Sequence, residues 1–156
     1  MRSNNIYPYI KLLCLASLLW MTSGCSGFHR AWKAEQSKTP NYAPNALTGA
    51  WEGTWLSDVN GHNGRLRALI TENPDGTYHA WYHAKYKGIL SFAYSVDVDA
   101  QDIPAGYTFK GKADLGRLAG GVYSYEGSAT NGLYNATYDS KYDQGIFKMQ
   151  RPSSDE

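Results

Sequence analysis

From about residue 47 to residue 151, hydrophobic and polar side chains alternate along short segments that are separated by turn residues. A period of two is typical of a β-strand with one buried face. We predict eight strands, at 49–57, 64–72, 76–86, 88–99, 105–115, 120–128, 131–139 and 144–151. Because the connections are mostly too short for crossover helices, consecutive strands should pair antiparallel. The pattern therefore predicts an all-β fold, an eight-stranded antiparallel up-and-down barrel.

The same alternation predicts which face of each strand points into the barrel. On most segments the aromatic residues share one face with Gly and Ala, as the tapered interior of a small barrel requires. We expect five tyrosines of this face to be largely buried, namely Tyr82, Tyr94, Tyr107, Tyr123 and Tyr138. Residues of opposite parity should be exposed, among them His79, His83, Lys110 and Glu126.

The segment YHAWYHAKY, residues 78–86, places His79, Trp81 and His83 on the outer face of its strand. Two residues that are four apart on a strand are separated by ~13 Å, too far for both histidines to bind one zinc ion. We therefore predict no metal site here. Trp81 is expected to be an exposed aromatic with Arg67 opposite it as a cation–π partner. The alternative is a patch that docks another protein.

The N-terminal segment is typical of an export signal. Two cations precede the apolar run 12–21, which is too short to cross a membrane but suits a signal peptide. The following residues, MTSGC, resemble the lipobox of bacterial lipoproteins, although Thr22 stands where that family usually has Leu. The resemblance implies cleavage after residue 24, a lipid on Cys25 and attachment to the cell envelope. Ser26 implies the outer membrane if the host is diderm; the alternative is an ordinary secretory signal.

Cysteine usage agrees with a lipid at this position. The chain has two Cys, and Cys14 lies inside the predicted signal peptide of residues 1–24. Cys25 would then have no partner for an intramolecular disulfide, and acylation would account for it. We predict a tether at 25–46, in which FHRAWKAEQ either forms a short helix that plugs one end of the barrel or stays irregular, because isolated helices this short are marginal. The barrel follows at 47–151, with a C-terminal tail at 152–156.

The segment LTGAWEGTW, which opens the eight-strand pattern, resembles the first strand of the calycin group of lipocalins and avidins, with its Gly-x-Trp element. The resemblance implies a barrel whose interior holds a ligand. The remaining sequence does not match the biotin-contacting pattern of avidins, so no biotin site is implied. GGVYSYEGS is similar to a segment of lysozyme-inhibitor lipoproteins, whose disulfide is absent here.

Charge and motifs exclude several classes of function. The formal net charge is +1, and no cluster of Lys and Arg suits a nucleic-acid partner. Ser57, Asp58 and His62 fall within one predicted hairpin loop, a pattern that favours a polar turn over a catalytic triad. We predict no enzyme activity and no cofactor. Of three hypotheses, an enzyme has the least support, because no acid–base pair is assembled. The other two are that the barrel binds a small amphiphilic or hydrophobic ligand, or that it is a self-filled structural or protein-binding envelope module.

Alternate loops of an up-and-down barrel lie at the same end. The first, third, fifth and seventh loops should form a mouth that is farther from the lipid than the other end, with Tyr86 and Tyr138 near its entrance. The candidate ligand-binding residues of the interior and this mouth are Trp55, His62, Tyr82, Tyr86, Tyr94, Tyr107, Arg117, Tyr123 and Tyr138.

Overall fold

The protein is a closed eight-stranded barrel with one helix on its outer surface. The computed structural model describes residues 27–38, 42–43, 45–117 and 120–153. Helix α1 spans residues 27–36. The strands are β1 Gly49–Ser57, β2 Asn63–Glu72, β3 Tyr78–Tyr86, β4 Leu90–Ile103, β5 Gly106–Asp114, β6 Val122–Thr130, β7 Leu133–Ser140 and β8 Gln144–Gln150. Each strand pairs antiparallel with its neighbour in sequence, and β8 pairs with β1, which confirms the predicted fold.

Two loops differ from the prediction. β4 continues to Ile103, because the turn to β5 consists of Pro104 and Ala105 alone. The β2–β3 loop takes five residues, 73–77, and is closed by a hydrogen bond from the Asn73 amide to the Thr77 carbonyl. The longer loop pairs Leu69 with Trp81, so the predicted pairing of Arg67 with Trp81 is wrong.

The predicted inward face is confirmed. The buried core contains the inward residues of all eight strands, including Trp51, Tyr82, Phe109, Tyr134 and Phe147. Tyr82 and Tyr138 are buried, whereas Tyr94, Tyr107 and Tyr123 are only partly buried. Alternation along each strand is therefore sufficient to identify the interior, although it does not give the depth at which each ring lies.

One end of the barrel, which we call the closed end, is filled by side chains. It is the end of loops 73–77, 104–105 and 131–132. There Leu47 lies in the core, and the Trp51 indole donates a hydrogen bond of 2.9 Å to the Leu47 carbonyl. The Arg151 guanidinium lies 3.8 Å from the Trp51 ring centre and donates to the carbonyls of Ala46 and Ala50. Burial lowers the pKa of Arg151 to about 10, so the group is still charged at neutral pH.

Helix α1 packs against the outer wall and does not plug an end. Phe28 and Trp32 lie one helical turn apart and are buried against the outward residues Ala50 and Leu69, with Trp81 beside them. The Arg67 guanidinium lies 4.7 Å from the Trp32 ring centre, so Arg67 makes its cation–π contact with the helix. The predicted tether therefore includes a docked helix, and Trp81 is half-buried rather than exposed.

His83 is the clearest correction to the predicted outer face. It is 3 % exposed, because its ring stacks on Phe28 at 5.0 Å and contacts His29 at the same distance. His79, which the helix does not cover, is half-buried and bonded to Asp97, while Lys110 and Glu126 are exposed as predicted.

The other end of the barrel, the open end, carries loops 58–62, 87–89, 115–121 and 141–143. The pairing of β4 with β5 begins only at Asp97 and Lys112. Toward the open end the β3–β4 hairpin therefore extends beyond its ladder with β5. No helix within the described ranges is long and apolar enough to cross a membrane.

Candidate functional site

The open half of the barrel contains a cavity of about 450 Å³, which lies in the range of small-molecule sites. Its walls are mostly aromatic. Trp55 comes from β1, Tyr94 from β4, Tyr123 from β6 and Tyr138 from β7. Small and aliphatic side chains also line it, among them Ala84 on β3 and Leu115 directly after β5. The cavity therefore offers flat apolar surfaces with hydroxyl groups at their edges.

Stacked rings close the cavity toward the middle of the barrel. Tyr82 lies 5.3 Å from Tyr94 and 5.6 Å from Phe147, measured between ring centres. The Tyr82 hydroxyl is 2.5 Å from the Tyr134 hydroxyl, in the fully packed part of the core. Tyr82 thus packs behind Tyr94 and Phe147, which line the cavity, and lies between the cavity and the filled half of the barrel.

The phenol groups of Tyr94, Tyr125 and Tyr138 in the cavity are neutral. Burial is the largest cause that raises the pKa of Tyr94 well above its ordinary value. Burial also raises the pKa of Tyr125, to which Tyr94 is hydrogen-bonded. Burial and the neighbouring carboxylate of Asp143 raise the pKa of Tyr138. These tyrosines therefore act as uncharged donors and acceptors at any physiological pH.

Asp143 is the charged side chain in this lining, as far as the described residues define it. Its carboxylate accepts a 2.6 Å hydrogen bond from the Ser57 hydroxyl and a 3.3 Å one from the Tyr138 hydroxyl. The Ser57 hydroxyl also accepts from the amides of Val59 and Asn60. Ser57 is thus a structural residue of the turn that holds the carboxylate at the cavity rim.

The predicted ligand-binding residues fall into three groups. Trp55, Tyr94, Tyr123 and Tyr138 line the cavity, and Tyr82 packs behind Tyr94. At the rim, the Tyr86 ring contacts His62 at 4.8 Å and Trp55 at 6.2 Å between ring centres, and Arg117 is exposed on the 115–121 loop. Tyr107 lies outside the site, since it contacts Tyr78 at the closed end with 5.9 Å between ring centres.

The sequence analysis missed the apolar rim of the open end. Several large hydrophobic side chains are exposed there: Leu56, Val59, Ile89, Leu90, Phe92, Val122 and Tyr142. At the closed end, Leu133 is the exposed large hydrophobic residue of the described chain. The sequence indicated this rim through apolar residues that stand directly beside turn residues, as in the segment KGIL.

The other clefts and side-chain clusters do not combine apolar walls with polar groups as the aromatic cavity does. A depression of about 600 Å³ lies on the outer face of β4 to β7, where the sign of the charges alternates between neighbouring strands: Asp97 and Asp99 on β4, Lys110 and Lys112 on β5, and Glu126 on β6. In the part of the chain that the structure describes, no group of three His, Cys, Asp or Glu side chains is arranged to hold a metal ion. The aromatic cavity is therefore the candidate site.

The proposed lipid attachment residue Cys25 and the predicted signal peptide lie outside the described residues. Comparisons of the chain with protein-family models, curated proteins and solved structures found no match.

Proposed function

We propose that this protein is a lipid-anchored lipoprotein of the bacterial cell envelope, whose calycin-like barrel binds a small amphiphilic or hydrophobic ligand. The observation that carries the proposal is the aromatic cavity of about 450 Å³ in the open half of a barrel whose other half is packed. A barrel of this size can fill itself with side chains, so space that remains at one end only supports a binding role there.

The lining indicates the chemistry of the ligand. Apolar ring faces favour a hydrophobic body, and the hydroxyls of Tyr123 and Tyr138 provide hydrogen bonds. The carboxylate of Asp143 at the rim disfavours an anionic head group nearby, because burial of like charges is costly. We infer a ligand with an apolar body and a neutral or cationic polar end that lies near Asp143.

The proposed anchor depends on the residues around Cys25. The short apolar run, the small residues Ser23 and Gly24 and the lone mature cysteine support acylation of Cys25. More than one acyl chain holds a protein stably on a bilayer. We place the protein in the outer membrane if the host is diderm, and we assign it no enzymatic activity.

Native mass spectrometry of the full-length protein, extracted from its membrane with detergent, tests both parts. We expect a chain that begins at acylated Cys25 and carries a retained small molecule. The variant Ala84→Phe, which places a ring in the cavity, should keep the acyl mass and lose the small molecule. The matched control Thr137→Phe adds the same ring to the exposed outer face of β7 and should retain both.

This experiment distinguishes a failure of the proposed lipid anchor from a failure of the proposed ligand site. A chain without acyl mass would overturn the anchor, and Cys25→Ser provides the reference spectrum for that state. A folded, acylated chain that never carries a small molecule, or one that Ala84→Phe leaves unchanged, would overturn the ligand site. That result would favour the alternative of a structural or protein-binding module.

A further inference from the structure

We propose that the tip of the β3–β4 hairpin, residues 87–92, is a second membrane contact that seats the open end of the barrel on an anionic lipid bilayer. The position of the bilayer rests in part on the proposed lipid at Cys25. The chemistry of the hairpin tip is independent of that assignment.

The tip presents apolar side chains to solvent in a fixed conformation. Ile89 is 86 % exposed, Leu90 54 % and Phe92 53 %. The turn below them is tight: Lys87 and Gly88 both have positive φ, at 50° and 71°, and the Ile89 amide donates to the Tyr86 carbonyl at 3.2 Å. Such a turn matches the twist of the two strands and needs no rearrangement to display its residues. A preformed apolar tip is suited to insertion into the interface of a bilayer.

The charges of the β3–β4 hairpin and of helix α1 complement an anionic surface. From residue 78 to residue 96 the sequence contains no Asp or Glu, Lys87 lies in the tip, and Lys85 lies two residues before it. Helix α1, which packs beside β3, adds the exposed cations Arg30 and Lys33 and has no acid before Glu35. Cations next to apolar side chains are the combination that binds anionic lipid head groups, and each contributes on the order of a fivefold gain in partitioning.

The position of helix α1 brings the proposed anchor to the same side of the barrel. Phe28 stacks on His83, and Gly27 lies beside Trp81, near the middle of β3. Cys25 precedes Gly27 by two residues, a span of at most about 7 Å. A lipid on Cys25 would therefore lie close to the outer wall of β3, the strand that leads into the hairpin tip. When both the lipid and the tip enter one bilayer, the open end lies near the membrane, contrary to the expectation that it is the more distant end.

This orientation gives the cavity access to lipid. Phe92 belongs to the hairpin tip and also lines the cavity, with Leu115. With the tip in the interface, an amphiphile could reach the cavity past Phe92 without crossing water. The membrane contact thus deepens the proposed function, because it names membrane amphiphiles as the class of ligand.

Photocrosslinking of the full-length protein in vesicles tests the proposal. The photoreactive residue p-benzoylphenylalanine replaces Ile89 in one sample and Leu133 in a matched control, since Leu133 is 52 % exposed at the closed end. In vesicles of phosphatidylethanolamine and phosphatidylglycerol, we expect lipid adducts from position 89 and few from position 133. Lys87→Glu, or omission of phosphatidylglycerol, should reduce the adduct yield by roughly fivefold or more.

Mass spectrometry of the same samples separates the outcomes. An acylated chain without lipid adducts at position 89, or with equal yields at both positions, overturns the hairpin contact and leaves the anchor intact. An unacylated chain that still forms adducts at position 89 overturns the anchor and supports the hairpin. Crosslinks from position 89 to a second copy of the chain, or to another protein, in place of lipid assign the tip to a protein interface and overturn the proposal.

Discussion

At the scale of single residues, the pair of buried phenols in the middle of the barrel determines where the cavity ends. The Tyr82 and Tyr134 hydroxyls lie 2.5 Å apart, and both rings are almost fully buried. Burial raises the pKa of Tyr82 to about 12, although the hydrogen bond to Tyr134 acts in the opposite direction. Both phenols are therefore neutral, and each satisfies the other in a place where an unpaired hydroxyl is costly.

The pair should show strong energetic coupling. Either Tyr82→Phe or Tyr134→Phe leaves one buried hydroxyl without its partner, which should lower the free energy of unfolding by ~1–3 kcal/mol. The double variant removes both polar groups and should lose much less than the sum of the single losses. Urea unfolding of the four proteins measures this coupling, which we expect to exceed ~1 kcal/mol. Additive losses would show that the two hydroxyls do not depend on each other.

At the scale of elements, helix α1 is held to the barrel by an aromatic cluster that contains a neutral histidine. His83 is covered by Phe28 and His29 of the helix, and Arg67 of β2 and Lys85 of β3 face it as well. Across the neighbouring strands, Glu52 lies 3.7 Å from Arg67 and pairs with it. Burial is the largest cause that lowers the pKa of His83 below its ordinary 6.5, and these cations act in the same direction.

The lowered pKa makes the docking of helix α1 dependent on pH. When the helix is released, His83 binds a proton more readily than in the docked state, so acid favours release. The docked state of helix α1 should be most stable above about pH 6.5, and its stability should decrease as the pH falls below that value. We expect the free energy of unfolding to decrease between about pH 8 and about pH 5, and His83→Phe to remove most of that decrease.

Urea unfolding at several pH values measures the effect, with His79→Gln as the control. His79 lies on the same outer face but bonds to Asp97 outside the helix contact, at 2.7 Å. His79→Gln should therefore retain the pH dependence that His83→Phe loses. If His79→Gln removed the pH dependence of stability and His83→Phe preserved it, the dependence would be due to His79 and not to His83.

The elements also show how far the sequence is informative. Strand alternation predicted the inward face correctly on the six strands to which it was applied, β1 and β3 to β7, because one buried face forces a period of two. It placed His83 outside correctly but could not show that a helix covers it. The signal was present in two parts: Phe28 and Trp32 lie four residues apart, and the outward positions Ala50, Leu69 and Trp81 are all apolar on adjacent strands. Only the observed register brings those three positions together under one helix.

At the scale of the whole molecule, the barrel has one packed half and one open half. Alternation in the sequence does not distinguish them, because it assigns a residue to a face and not to a depth. Tyr107 and Tyr123 have the same parity and chemistry, yet Tyr107 packs at the closed end and Tyr123 lines the cavity. The difference arises from the incoming segment with Leu47 and from Arg151, which fill one end only.

Two alanines on one strand test this asymmetry directly. Ala80 and Ala84 both point inward from β3 and are separated by ~13 Å along it. Ala80 is fully buried between Ile70 and Val96, whereas Ala84 lines the cavity opposite Phe92. Ala80→Phe should overpack the core and lower the free energy of unfolding by ~1–3 kcal/mol or more. Ala84→Phe enters existing space and should leave stability unchanged or raise it by ~0.5–2 kcal/mol.

Thermal and urea unfolding of the two variants and the parent protein give the comparison without any knowledge of the ligand. The same chemical change on the same strand controls for the β-propensity of Phe and for its effect on the unfolded chain. Similar losses in both variants would mean that the open half is packed in solution as tightly as the closed half, and the cavity would then be too small for a ligand. A loss confined to Ala80→Phe would support a barrel that uses one half for stability and keeps the other available for binding.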